Sequence, residues 1–346
     1  MLIVSSVIVS VVAAPILAIS ACISKLFSAV TGIKPLDISR ASFIKEMQIY
    51  VSASKGLTSE WVCGQKVHVL CRHATIFSNY PPIVMIHGTG SGSLYYAEFM
   101  QTFPKVYDVY CIDLPGWGIS EDPPFDLNAI ALERCYAYYG HIIMSALNEI
   151  YPAKNAKFVF LGHSFGSFIL IKAISCNYIP SHQIKKCVLT CVPGLHKETS
   201  KYAYLWGSLF ITGIAESMFK HWWSSHLFSV FLFRRELQLR TLQVMHSFIP
   251  NGYGYKMAGR HMGFTGTLFR PEWLLPIRNE LVYVSNNKCK VSMICGTMDT
   301  IVNKKHMKEI SESCTKIKCY ELNSSHSLFC KVDLFPDLLK IINNVK

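Results

Sequence analysis

Residues 158–177 read Phe-Val-Phe-Leu-Gly162-His-Ser164-Phe-Gly166-Ser-Phe-Ile-Leu-Ile-Lys-Ala-Ile-Ser-Cys-Asn177. The four apolar residues 158–161 are too few for a helix, and a short apolar run that stops at glycine suits a strand buried on both faces. From Phe165 to Asn177 the residues suit a helix. Between the two lies Gly162-x-Ser164-x-Gly166. A chain that turns from strand to helix within so few residues brings its backbone close to itself, and small residues two before and two after the serine permit this. Ser164 at the apex is thereby presented in a strained conformation, and the helix N-terminus behind it favours developing negative charge.

Similar units flank this one on both sides. Apolar runs at Ile83–Ile86, 106–113, 186–192, 289–295 and 317–322 are expected as further strands, with helical spacing over 130–150. Residues 44–52 and 66–72 are strand-like and are expected to form an antiparallel hairpin ahead of them. Strands that alternate with helices imply an α/β fold, with a mainly parallel sheet covered by helices on both faces. The alternation stops over residues 196–285. That segment is dense in aromatics, among them Trp206, Phe210, Trp222, Trp223, Phe228 and Phe231, and has helical spacing. It is expected to be a helical cap inserted into a core formed by 41–195 and 286–346. Most of its aromatics are expected to pack the cap, and a few to line an apolar pocket or touch a bilayer.

A serine hydroxyl is a weak nucleophile and needs a base, which in turn needs an orienting acid. In the chain order Ser, Asp/Glu, His, both partners lie beyond Ser164. Asp299 follows the strand 289–295 in Gly296-Thr-Met-Asp299, and His326 follows the strand 317–322 in Leu322-Asn-Ser-Ser-His326. Each therefore falls at the carboxyl end of a strand, where open α/β sheets place their sites. An oxyanion hole needs backbone N–H donors, expected from Phe165 and from the loop His87-Gly-Thr-Gly90, where Thr89 is the second donor. The run Gly88-Thr-Gly-Ser-Gly-Ser93 does not satisfy G-x-G-x-x-G and lacks the Gly-Lys-[Ser/Thr] of a P-loop, so no nucleotide cofactor is expected. No H-E-x-x-H motif or paired cysteine spacing suggests a metal.

Taken with Asp113-Leu-Pro-Gly-Trp-Gly-Ile-Ser120, these motifs resemble the α/β-hydrolase superfamily, in its capped lipase, esterase and epoxide-hydrolase-like branch. The resemblance spans about residues 44–346. It implies Ser164 as nucleophile, His326 as base, Asp299 as orienting acid, Thr89 and Phe165 as oxyanion donors, and Asp113 and Trp117 in a structural loop. His87, Trp117 and His163 are expected to line the substrate pocket. Epoxide hydrolases and haloalkane dehalogenases carry aspartate at the elbow, and Ser164 departs from both. Related lipid acyltransferases carry H-x-x-x-x-D from the catalytic histidine. Here the fifth residue after His326 is Lys331, and the nearest aspartate is Asp333. The expected activity is hydrolysis of carboxylic esters of lipid-like acyl groups. The alternatives are acyl transfer by the same triad, or a non-catalytic module that binds a small ligand.

The chain has 346 residues, 51% of them hydrophobic and 16% charged, enough for one large core with an insertion and too apolar for a disordered chain. Twenty Gly and 15 Pro without period exclude collagen-like and low-complexity classes, and no repeat of solenoid length occurs. Residues 1–24 contain no charged side chain, which is long enough for a membrane span although Pro15 would kink it. Lys25, Lys34, Arg40 and Lys45 follow the run and no Lys or Arg precedes it, which orients the downstream domain to the cytoplasm. Residues 1–25 are therefore expected to be a membrane anchor. The alternative is a signal peptide cut near Ala18-Ile-Ser20 that directs the chain to the secretory pathway. Thirteen scattered cysteines without a C-x-x-C pair suit reduced thiols. The sequon at Asn323-Ser-Ser325 abuts His326, where a glycan would block the site. The net charge of +12 suits an anionic lipid surface, and no nucleic-acid motif accompanies it.

Overall fold

The computed structural model describes Cys22 and residues 40–88, 91–124, 132–195 and 277–343, apart from positions 55, 122, 154, 300, 301 and 303. The apolar run 1–24, Cys22 aside, Thr89 and Gly90 of the expected oxyanion loop, and nearly all of the expected cap lie outside those residues.

The chain opens with α1 (Arg40–Ala53) and the hairpin β1 (Thr58–Val62) and β2 (Val67–Arg72). There follow β3 (Ile83–Ile86), the short α2 (Ala97–Thr102), β4 (Val109–Ile112), α3 (Leu132–Ile150), β5 (Phe158–His163), α4 (Phe165–Ser175) and β6 (Ile184–Thr190). After the segment outside the described residues come α5 (Arg278–Asn287), β7 (Lys290–Gly296), α6 (Lys304–Ser313), β8 (Ile317–Leu322) and α7 (Phe335–Asn343). The strands form one eight-stranded sheet in the order β1-β2-β4-β3-β5-β6-β7-β8. β1/β2 and β2/β4 pair antiparallel and every other pair is parallel.

The continuous apolar strands follow from cover on both faces. Along β5, Phe158 and Phe160 face the cluster that contains Tyr139, Ile169 and Met307, whereas Val159 and Leu161 face the one that contains Met47, Phe99 and Leu338. Ile83–Ile86 and Val109–Ile112 alternate in the same way. Thus α3–α6 cover one face and α1, α2 and α7 the other. Each such buried side chain contributes about 1.5–3 kcal/mol relative to exposure.

Two expectations are corrected. Residues 44–52 are not a strand: they lie in α1, and the hairpin is formed by β1 with β2. The apolar residues Ile44, Met47 and Val51 recur at spacings of three and four, which puts them on one helical face; Met47 and Val51 are buried there against the sheet. The expected cap also ran too far. Residues 278–285 lie in α5, whose Leu281 and Val284 are buried in the core cluster alongside Ile169 and Ile174 of α4. This is the crossover helix into β7 and part of the core. Among the described residues, no helix is long and apolar enough to cross a membrane.

Candidate active site

The turn from β5 to α4 has the sharpness its sequence implies. Ser164 sits at φ 49°, ψ −116° as the N-cap of α4, a region unfavourable for a residue with a Cβ. Two hydrogen bonds hold it there. The Ser164 N–H donates to the Thr190 carbonyl at 2.8 Å, which also accepts from Ser167 Oγ at 3.1 Å, so the end of β6 clamps both sides of the turn. A Cβ on Gly162 would lie 2.7 Å from the backbone N of Ser167, and one on Gly166 would lie 2.2 Å from the Ile86 carbonyl oxygen. Both glycines are thus required by close backbone approach. Thr190 carried no motif; its only sequence signal is its place near the end of a strand.

Asp299 and His326 come together. His326 Nδ1 lies 2.8 Å from Asp299 Oδ2, and the Asp299 side chain is fully buried. Its second oxygen accepts the Val302 N–H at 2.9 Å, which fixes the carboxylate plane. The two loops are laced by backbone bonds from Thr297 N–H to the Leu322 carbonyl and from Met298 N–H to the Ser324 carbonyl. Gly296 makes this possible, because a Cβ there would lie 2.3 Å from the carbonyl oxygens of both Ser324 and Ser325. With Nδ1–H directed to Asp299, the neutral ring keeps Nε2 as its proton acceptor. Lys331, in the place of the acyltransferase aspartate, donates from Nζ to the Asn323 carbonyl at 3.1 Å and so braces the histidine loop.

The residue before Ser164 lies beside this pair. The ring of His163 lies 5.2 Å from that of His326, centroid to centroid. Among the described residues no hydrogen bond connects the Ser164 hydroxyl directly to the imidazole. Phe165, the first residue of α4, is buried against Trp117 and Tyr139. Gly88 brings the preceding loop to the elbow, where a Cβ on it would lie 3.2 Å from Ser164 Cβ. Thr89 itself lies outside the described residues.

Of the expected pocket residues, His87 is placed as a brace. It is fully buried, its Nδ1 lies 2.8 Å from the Gly88 carbonyl, and its Nε2 accepts the Leu114 N–H at 3.0 Å. Both ring nitrogens are thus engaged with backbone. Trp117 is buried with its ring edge toward His87. His163 stacks on Tyr95 and meets Phe329 edge-on. Its Nδ1 donates to Thr190 Oγ1 at 2.9 Å, since that hydroxyl gives its own proton to the Gly162 carbonyl. Tyr95 and Phe329, which no motif marked, therefore form the aromatic surround of the histidine pair.

Burial governs the charges. It pushes the His163 pKa well below the ordinary imidazole value, and repulsion from His326 adds to this, so His163 is a neutral neighbour of His326. His87 is lowered mainly by burial too. Asp113 is buried beside His68 and Ser93. Burial opposes its ionisation, but the hydrogen bond from His68 Nδ1 at 2.8 Å, the nearby imidazoles and the Ser93 N–H outweigh it and hold its pKa below the usual carboxylate range. Cys191, Asp299 and His326 bring a sulfur, a carboxylate oxygen and an imidazole nitrogen within 4.8 Å of one another.

A profile of the α/β-hydrolase fold matches residues 81–330, more than half of the chain. The chain belongs to the α/β-hydrolase family. Among curated proteins this α/β hydrolase is 25% identical over 195 residues to a probable 1-acylglycerol-3-phosphate O-acyltransferase of Oryza sativa subsp. japonica, covering 53% of this chain and 45% of the relative. It is also 25% identical over 187 residues to a 1-acylglycerol-3-phosphate O-acyltransferase of Arabidopsis thaliana, covering 54% and 41%. The chain thus spans less than half the length of these relatives. Among solved structures it resembles a bacterial membrane phospholipase A, with TM-score 0.61, 14% identity, and 96% and 98% of the two chains covered. It also resembles the Cif epoxide hydrolase of Acinetobacter nosocomialis (0.59, 20%, 90% and 98%) and the enol-lactonase of Burkholderia xenovorans (0.59, 15%, 83% and 99%). At these identities the structural likeness speaks for the fold.

Proposed function

We propose that this α/β hydrolase is a serine esterase that acts on carboxylic esters with lipid-like acyl groups. The observation that carries the reading is the 2.8 Å bond from the His326 imidazole to the buried Asp299 carboxylate, set at the strand ends that also carry the strained Ser164. Ser164 Oγ attacks the acyl carbonyl while His326 Nε2 takes its proton. Asp299 keeps the proton on Nδ1 and stabilises the imidazolium. The negative charge on the former carbonyl oxygen is met by the N–H groups of Phe165 and Thr89. His326 returns its proton to the leaving alcohol, then takes one from water, which releases the acid from Ser164.

The preference for apolar acyl groups is supported by the aromatic surround of Tyr95, His163 and Phe329, by the aromatic content of residues 196–276, and by the charge-free run 1–24, read as a membrane anchor. A fluorophosphonate probe should label the wild-type chain and leave Ser164→Ala unlabelled. Hydrolysis of a long-chain p-nitrophenyl ester should fall by about 10⁴-fold or more in the same variant. Full activity in Ser164→Ala defeats the mechanism. Turnover of acetate esters alone, with long-chain esters ignored, defeats the lipid assignment.

Acyl transfer is the second reading, favoured by the names of the two plant relatives. It uses the same acyl-enzyme with an alcohol in place of water. Purified protein given an acyl-CoA and lysophosphatidate should form no phosphatidate above the Ser164→Ala background if hydrolysis is the activity.

A further inference from the structure

Cys191 follows the last residue of β6 at φ 49°, in the left-handed region that residues with a Cβ avoid. Strain of this kind persists where the surroundings over-determine it. Here the Cys191 N–H donates to the Ile294 carbonyl at 2.8 Å, and the side chain is fully buried. The turn aims the thiol between the two parts of the acid–base pair. Cys191 Sγ donates to the His326 carbonyl at 3.5 Å, and it lies within 4.8 Å of both the Asp299 carboxylate and an imidazole nitrogen. Burial raises the thiol pKa well above its ordinary value and the neighbouring Asp299 charge raises it further, so the group stays an S–H donor and is no rival nucleophile.

We propose that Cys191 is a positioning residue of the catalytic acid: its S–H packs between the Asp299 carboxylate and the His326 main chain, and holds the carboxylate facing imidazole Nδ1. The inference rests on the assignment of Ser164, His326 and Asp299 above. The carboxylate already receives the Val302 N–H on Oδ1 and His326 Nδ1–H on Oδ2. Partial rotation about its Cβ–Cγ bond would misalign both hydrogen bonds. A third polar neighbour on the β6 side opposes that rotation. The Asp299 side chain is itself a hydrogen-bond partner of the thiol, and a proton shared with the carboxylate offsets part of the negative field that it exerts on the ring. The ionisable groups that face the His326 ring are Asp299 from the loop after β7, His163 from β5 and Cys191 from the end of β6, with His87 beyond His163.

The test uses the full chain and a p-nitrophenyl ester. Cys191→Ala removes the donor and should lower kcat about tenfold with KM within about twofold, the scale of one lost hydrogen bond. The acidic limb of kcat/KM should move to higher pH by roughly 0.5 unit, because the carboxylate field on His326 is less offset. Cys191→Ser restores a donor, and should return kcat to within about threefold and the limb to its wild-type place. Cys191→Gly also lacks the donor but relieves the left-handed strain, so it reports even if the alanine variant folds poorly; it should show the same shifted limb. Wild-type kcat and an unmoved limb in Cys191→Gly would overturn the inference, as would a serine variant as impaired as alanine. A lower melting temperature with an unmoved limb would assign Cys191 to stability alone. If Ser164→Ala keeps its activity the triad itself fails, an outcome separate from any result at position 191.

Discussion

Asp299 shows how much chemistry one side chain can fix. Its Oδ1 is held by the Val302 N–H, so an asparagine there would keep its carbonyl oxygen on that side and turn its amide NH₂ toward His326. The imidazole would then have to accept at Nδ1 and carry its proton on Nε2, where it can no longer take one from Ser164. Asp299→Asn should therefore fold normally and lose about 10³–10⁴ in kcat. Steady-state kinetics beside a thermal melt check this. A variant within tenfold of wild type would remove Asp299 from the mechanism. The placement of Ser164, Asp299 and His326 at strand ends was legible in the sequence because each is a rare polar residue after an apolar run. Cys191, Tyr95 and Phe329 were not, since a cysteine or aromatic among apolar residues is what any core contains. His87 was legible as a loop residue, but its engagement by Gly88 and Leu114 depends on how close the loops after β3 and β4 come, and a sequence does not record that.

The elements contribute through their ends. Gly296 closes β7 with no room for a side chain: a Cβ would meet two carbonyl oxygens at 2.3 Å, and no rotamer relieves a contact with backbone. Gly296→Ala should cost about 1–3 kcal/mol of stability by urea denaturation, as overpacking does. It should also lower kcat, because the loop of Asp299 and the loop of His326 must move apart. Unchanged activity together with lost stability would show that the two loops reseat as one body. The strands were read from their apolar runs with ends off by at most three residues: Ile83–Ile86 and Ile317–Leu322 match at both ends, whereas 106–113 shrinks to the observed Val109–Ile112. The failure at α1 has a definite cause. Ile44, Met47, Ile49 and Val51 fit both periods in part, and only contact with the sheet decides between them. Met47 and Val51 are buried, whereas Ile49 is 61% exposed, as the helical period requires.

At the scale of the whole molecule, the sheet carries Ser164, Cys191, Asp299 and His326 at the ends of β5–β8, and the loop after β3 closes against them. The histidines beneath are buried, and this has a thermodynamic consequence. His87 and His163 are held neutral by burial, with folded pKa values below the ordinary 6.5. Below that pH the unfolded chain takes up protons that the folded chain does not, so stability falls as pH drops from 6.5 toward the lowered folded values. Each histidine contributes a slope of about 1.4 kcal/mol per pH unit within that window. Asp113, whose pKa is depressed, adds its loss only further down, below the ordinary carboxylate value near 3.9. His163→Asn keeps a donor for Thr190 Oγ1 at the place of Nδ1 but cannot be protonated. Urea melts of wild type and variant between pH 7 and 4.5 should therefore differ in slope: the variant is less stable at neutral pH and markedly less sensitive to acid, so the two curves converge as pH falls. Parallel curves would mean that His163 takes up its proton in the folded state, and His326 would then lose its neutral neighbour.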